Sequence, residues 1–485
     1  MDGLDCKEEL LSTVKQNNYF FRLDSHCFEK RFEFLKHTLS LLSHKCLSEL
    51  VSKPIQTGHT PSMSNAENYG GNIAFIKTDN LHSNDISDMY NDYLSDKGNS
   101  EIFRTFLQPK DIITTIIGAT EDVIARSAMI YPSHLPANIN QNIVQIRINS
   151  NIICPEYVNT YLNSKYGRNY LIYLSRQTEQ VNLNCQEVGE VLVPIFSDNF
   201  CGRIETISAK AYEFQKQAKT IYTSAEKLLD IYLKVENFDK YRHTIKLLSK
   251  SFFQSGRLDA EYYQPKYDTL FETLNHFTIA NLSGENGLVS IKKSIEPGSE
   301  AYQDEGIPFV RVSDINQYGI VAPAIKLSPT IIPDIENLYP CKDTILLSKD
   351  GSVGIAYKVQ EDMQVVTSGA LLHLTVKDTN QILPDYLTLV LNSQVVQLQA
   401  ERDCNGAIIQ HWKPSDIEKV LIPVLDMDKQ KEISDKVQES FRLRKETKRL
   451  LDNAIKAVEM AIETDEKTAL KCLDNQQTLC TNQNL

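Results

Sequence analysis

The stretches PEYVNTYLNS from Pro155 and PDYLTLVLNS from Pro384 stand 229 residues apart and are nearly the same. The same offset carries VLVPI from Val191 onto VLIPV from Val420, and LNCQEV from Leu183 onto WKPSDI from Trp412. Further upstream the offset widens in small steps. KDIITTII from Lys110 lies over KDTILLSK from Lys342, and IAFIKTDNL from Ile73 over IPFVRVSDI from Ile307. FRLDSHCFEKRF from Phe21 lies over GRLDAEYYQPKY from Gly256. Collinear blocks in one order, with the drift absorbed in loops, make this chain a tandem duplication. The period far exceeds that of a solenoid repeat, so each copy must carry its own core.

Each copy reads as mixed α/β. IVQIRI from Ile143 and LLHLTV from Leu371 alternate as strands, with Val144, Ile146 and Ile148, and Leu372, Leu374 and Val376, on one face. The opening motif follows each as a short helix, with proline in its first turn and Tyr157, Val158, Tyr161 and Leu162 at helical spacing. Glycine and proline punctuate the loops before Ala74 and Phe309. Loops of different sequence on a repeated scaffold are where divergent recognition would sit.

After each VLxP block the apolar period changes to that of a long helix. Ile204, Ile207, Ala211, Phe214, Ala218, Ile221, Ala225, Leu228 and Tyr232 alternate in steps of three and four, a heptad pattern. The second helix has a smaller, more polar seam, Ile433, Lys436, Ser440, Leu443, Thr447, Leu450, Ala454, Ala457 and Ala461, widened by Val437, Phe441, Leu451, Val458 and Ile462. The two helices are expected to pack antiparallel and to relate the copies by an internal two-fold axis. The expected divisions are 1–196 and 237–424 for the domains, 197–236 and 425–463 for the helices, and 464–485 for a tail without regular structure.

A chain of 485 residues with 63 acidic and 51 basic side chains has a formal net charge of −12, which argues mildly against a nucleic-acid binder unless a basic face forms locally. The acidic start and the absence of an 18-residue apolar run lead us to expect a cytoplasmic protein. The ten cysteines are scattered, with no C-x-x-C pair, as expected of reduced thiols. No phosphate-binding G-x-x-x-x-G-K-[ST] loop, no G-x-G-x-x-G after a strand, no N-P-P-[YF] methyltransferase motif and no paired metal ligands occur. His37 and His44, and the ETK of residues 446–448, read as helix-surface residues. No catalytic residue and no bound metal is expected.

GRLDAEYYQPKY, IPFVRVSDI, DTILLSKDGSVGIAYKV and GAIIQHWKPSDIEKVLIPV, each in turn and then a long helix, together resemble the specificity subunit of type I restriction–modification enzymes. The resemblance spans about residues 20–463 and is stronger in the second half, since TTIIGATEDVIARSAMIY replaces the LLSKDGSVGIAYKV region in the first. It implies two target-recognition domains joined by an antiparallel helical coiled coil, each domain reading one half of a bipartite, asymmetric DNA site. It also implies partners: two adenine-methyltransferase subunits, and restriction subunits with translocase activity. Those partners, not this chain, would use S-adenosylmethionine, ATP and Mg2+. The alternative is a protein–protein scaffold of the same fold that has lost DNA recognition.

Under that resemblance, DNA contacts are sought among loop residues able to hold phosphates or read base edges. In the second copy these are Arg311 and Ser313, the loop of Ser348, Lys349, Gly351 and Ser352, and Asn405, Gln410 and His411. Gly351 is a place where backbone N–H groups could approach a phosphate. In the first copy they are Lys77, Thr78 and Asn80, then Thr120 and Arg126, then Asn140, Gln141 and Gln177. Trp412 aligns with Leu183, which favours a core role over base stacking.

Overall fold

The computed structural model describes residues 11–12, 25–87, 90–121, 123–176, 180–235, 247–303, 305–321, 323, 325–331, 333–404 and 410–481. They form two units, one of residues 1–216 with 445–485 and one of residues 217–444. These units do not follow the expected domain boundaries, because each cut falls inside a long helix.

In the first unit, β1 (Gln56–Thr57), β2 (Tyr69–Ile76), β3 (Ile112–Thr115), β4 (Ser127–Met129), β5 (Ala137–Ile139) and β6 (Ile143–Ile146) precede α1 (Pro155–Asn163) and α2 (Asp198–Leu233). Four strands make an antiparallel sheet ordered β1-β6-β3-β4, while β5 lies parallel to β2. In the second unit, β7 (Val289–Lys293), β8 (Ile307–Val310), β9 (Ile345–Ser348), β10 (Ala356–Lys358), β11 (Val366–Thr367) and β12 (Leu371–Val376) precede α3 (Pro384–Asn392) and α4 (Met427–Glu463). The sheet order β7-β12-β9-β10 repeats the first, and β11 lies parallel to β8.

The repeated sequence blocks make repeated bonds. Tyr157 Oη donates to the Pro194 carbonyl at 2.8 Å, and Tyr386 Oη donates to the Pro423 carbonyl at 2.8 Å. Both tyrosines are fully buried, so each hydroxyl needs this partner. The opening motif therefore seats the helix after the sheet onto the VLxP strand, once per unit. Trp412 is buried in the second core and Leu183 in the first, as the alignment of the two predicts.

Within the first unit, α2 packs against the C-terminal part of α4, burying Ile204, Ile207 and Ala211 with Ala454, Val458 and Ala461. Within the second, Ala218, Tyr222, Ala225 and Leu229 are buried, as are Ile433, Val437 and Ser440 of α4. The packing is antiparallel in each. The polar seam positions donate across it: Thr447 Oγ1 to the Ala211 carbonyl at 3.3 Å in the first unit, and Ser440 Oγ to the Ala218 carbonyl at 2.7 Å in the second. The expected heptad on α2 needs correction beyond Ala218. Tyr222, Leu229 and Leu233 are buried where Ile221, Leu228 and Tyr232 are expected. A helix of 3.6 residues per turn drifts against a 3.5-residue repeat, so the buried stripe moves on by one position.

The tail also differs from expectation, since Glu466–Thr481 forms a helix, α5. Asp465 accepts the Thr468 N–H at 2.8 Å at its start, and Glu466 accepts the Ser197 hydroxyl at 2.6 Å. Ala469 and Leu473, one turn apart, are buried in the first core. Two apolar residues are too faint a stripe to announce a helix in sequence. Tertiary contact supplies what periodicity lacks.

Candidate nucleic-acid interface

Each parallel strand pair ends in the same tight turn. After β2, Asn80 Oδ1 accepts the Lys77 N–H at 3.0 Å, and after β8, Asp314 Oδ2 accepts the Arg311 N–H at 2.8 Å. Asn80 is buried and so is a turn former, while Lys77 and Arg311 project with partial exposure. Ser313 is exposed, and its hydroxyl donates to Asp314 Oδ1 at 3.0 Å. Thr78 Oγ1 is buried without a hydrogen-bond partner.

The loop that leaves the central strand is also built twice. Ser348 Oγ donates to the Ser352 carbonyl at 2.6 Å and accepts the Ile355 N–H at 2.8 Å. Thr115 Oγ1 donates to the Val123 carbonyl at 2.6 Å and accepts the Arg126 N–H at 3.0 Å. Ser348 is thus a fully buried loop closer and does not face solvent; its counterpart in the first copy is Thr115. The residue that closes the turn is left-handed in both copies, Gly354 in one (φ 86°) and Ala125 in the other (φ 62°).

In the second unit this loop and the segment around His411 come together. The Gly351 N–H donates to the Gln410 carbonyl at 2.9 Å, and the Trp412 N–H donates to the Lys349 carbonyl at 2.8 Å. Gly351 has the expected left-handed φ of 74°, but its N–H is used on the Gln410 carbonyl and is not offered to a phosphate. Asp350 sits at the centre. It pairs with Lys349 Nζ and with His411 Nδ1 at 2.8 Å. Ser352, Gln410 and His411 are exposed on this patch. Val312 of the Arg311 turn and Ile355 of the loop pack on one small cluster with Val310 and Leu371. Asn405 lies outside the described residues.

In the first unit Arg126 Nη1 donates to the Leu81 carbonyl at 3.4 Å, tying loop to turn. Asn140 is buried, its N–H on the Ile76 carbonyl at 3.2 Å and its Oδ1 on the Asn142 N–H at 3.2 Å. Lys77, Thr78, Asn80, Arg126 and Asn140 therefore converge. Thr120 is exposed at the loop tip and Gln141 is exposed beside Thr60, whose hydroxyl donates to it. Gln177 lies outside the described residues. Arg168, missed in sequence, bridges the same region, with Nη1 on Ser83 Oγ at 2.9 Å and Nη2 on the Glu121 carbonyl at 3.3 Å. It lies on a helix remote in sequence, so no local pattern marks it.

The electrostatics are guarded. Lys77 pairs with Asp92, Arg311 lies 3.5 Å from Asp314, and Lys349 pairs with Asp350. Burial, and then the Arg126 charge, hold His82 below its ordinary range, which keeps the first patch from gaining a further cation. On α4, Arg442 pairs with Glu439 at 2.7 Å, Arg449 with Glu446 at 2.7 Å, and Arg444 covers the Tyr318 ring at 3.8 Å. The basic run of that helix is thus largely occupied by its own neighbours. Among the described residues no cluster could hold a metal ion, and no helix is long and apolar enough to cross a membrane.

Residues 284–457 match the family described as "Type I restriction modification DNA specificity domain". The second repeat is thus similar to the type I DNA specificity family. The matched segment takes in β7 to β12, α3 and most of α4, and with them the Arg311 turn, the Lys349–Ser352 loop and the His411 patch. No curated protein matches the chain in sequence. Solved structures align over most of their length. The type I restriction-modification S subunit from M. genitalium is 14% identical, with 89% of this chain and 95% of that chain covered and a TM-score of 0.34. The HsdS subunit from Thermoanaerobacter tengcongensis is 16% identical, with 87% and 97% covered and a TM-score of 0.29.

Proposed function

We propose that the chain is the non-catalytic DNA-specificity subunit of a type I restriction–modification system, reading a bipartite, asymmetric site. One observation carries this reading. The same turn and loop are built twice with the same internal bonds but different outward side chains, and the second copy lies in the segment that matches a DNA-specificity domain. A repeated frame with differing tips is what two unlike half-sites require. The Lys77 turn would serve one half and the Arg311 turn and Lys349–His411 patch the other. Helix α2 has 36 residues, about 54 Å at 1.5 Å per residue, which suits a spacer of more than one turn of duplex.

On this reading two adenine-methyltransferase subunits and restriction subunits supply the S-adenosylmethionine, ATP and Mg2+ chemistry. They also supply much of the positive charge around the duplex, since this chain is acidic and its candidate cations are paired internally. That internal pairing also favours a second reading, a scaffold that no longer binds DNA. DNA affinity of the assembled complex at two salt concentrations separates them. Specific recognition predicts a fall of at least about tenfold between 50 and 200 mM salt, as phosphate neutralisation requires. Salt-independent or absent DNA binding supports the scaffold.

A further inference from the structure

Where α1 meets α2 in the first unit, two cysteines pack on one core cluster. Cys154 is the residue before α1 and Cys201 lies in the first turn of α2. Cys154 Sγ donates to the Cys201 carbonyl at 3.5 Å. The second unit has the same junction without sulfur. Offset by 229 residues, Leu383 precedes α3 and Gln430 lies in the first turn of α4. There Gln430 Oε1 accepts the Leu383 N–H at 2.9 Å, and Nε2 donates to the Leu425 carbonyl at 2.8 Å. One chemically inert amide therefore does in the second unit what a thiol pair does in the first.

The pair also has the asymmetry of a reactive and a resolving thiol. Cys154 is partly exposed and stands at the positive end of a helix, whereas Cys201 is buried. Its hydrogen bond with Cys201 holds the Cys154 thiol below its ordinary range, and the bond with Cys154 pushes Cys201 up. The thiol that meets solvent is thus the better source of thiolate.

We propose that Cys154 and Cys201 form a redox latch that fastens the start of α1 to the first turn of α2 under oxidising conditions. The oxidant is a peroxide. The Cys154 thiolate attacks one peroxide oxygen, the O–O bond breaks, and a sulfenic acid forms with loss of water. The Cys201 sulfur then attacks the sulfenic sulfur, the S–O bond breaks, and a second water leaves. Two thiols are oxidised to one disulfide and hydrogen peroxide is reduced to two waters. Closure links residues 47 positions apart and stabilises the first unit by restricting its unfolded chain. The second unit, held by Gln430, has no such response.

The test uses the full-length native protein, treated with hydrogen peroxide, quenched by alkylation and digested. The expected result is a linked Cys154–Cys201 peptide that dithiothreitol dissolves, with a melting transition raised by several degrees. Cys154→Ser and Cys201→Gln each abolish the linked peptide and the shift. The second of these installs the other unit's amide and guards against loss of folding. Free thiols at both positions after oxidation of the native protein overturn the proposal. So does a melting shift that persists in Cys154→Ser.

Discussion

The two repeats share the buried bonds that build their frames and part company in the side chains they expose. Tyr157 and Tyr386 make one and the same bond, and both loops close on a hydroxyl at the end of the central strand. Yet the turns present Lys77 in one copy and Arg311 in the other, and the second loop adds the Asp350–His411 contact. The shared bonds build a frame, and the differences that bear on recognition lie at its rim. This is the division expected when one fold must present two different reading surfaces.

The same contrast extends to stability, and the largest effects should come from the cores. Trp412→Ala should cost about 4 kcal/mol in the second unit, and Leu183→Ala about 3 in the first, seen as loss of one unfolding transition at a time in denaturant titration. Nearly equal losses of both transitions from either change would break the picture of two separate cores.

Next come the buried carboxylates at the start of α1 and α3. Asp385 lies 3.2 Å from the buried Lys358, and Glu156 lies 2.9 Å from Lys110, whose side chain is 50% exposed. Burial opposes the charge on Lys358, but Asp385 and Asp343 outweigh it and raise its pKa overall. Asp385→Ala leaves that ammonium with Asp343 as its remaining carboxylate and should cost about 3 kcal/mol. Glu156→Ala should cost about 1, because Lys110 turns to water or to Glu205. Chemical denaturation of the two variants reads the difference.

A pH titration should distinguish the units as well. His373 of β12 is pushed down to about 4 by burial, then by Lys292, while the matching position of β6 is Gln145, which does not titrate. The unfolded chain takes up this proton near pH 6.5 and the folded one only near 4. Stability from His373 is therefore full above pH 6.5 and falls as the pH drops towards 4, by on the order of 3 kcal/mol. Melting of the second unit should show this slope, and His373→Gln should remove it. The smallest effect is the most symmetrical. Tyr157→Phe and Tyr386→Phe should each cost about 1 kcal/mol, since each leaves a buried carbonyl unpaired.

Much of the frame was legible in the sequence because repetition reveals what a single copy hides. The opening motif, the strands at Ile143 and Leu371, the long helices and the buried Trp412 all follow from periodicity and alignment. The rim was legible only as a set of candidates. Nothing in the sequence says that Ser348 turns inward or that Asn80 and Asn140 are buried, because polar residues in loops serve bonds that tertiary structure decides. Ala125 makes the point most clearly. It adopts the left-handed turn that Gly354 adopts in the other copy, and alanine carries no mark of that conformation. The drift of the α2 stripe from Ile221 to Tyr222 was invisible for a different reason, since a heptad and a true helix diverge only over several turns.

The central claim is that each turn serves one half of a bipartite site. Mapping methylated adenines across the genome tests it most directly, in cells carrying the unaltered gene, no gene, Lys77→Ala with Arg126→Ala, or Arg311→Ala with His411→Ala. The account predicts a bipartite motif that vanishes without the gene, with relaxed sequence in one half for the first pair and in the other half for the second. A motif unchanged by loss of the gene, or both halves altered together by either pair, would contradict it.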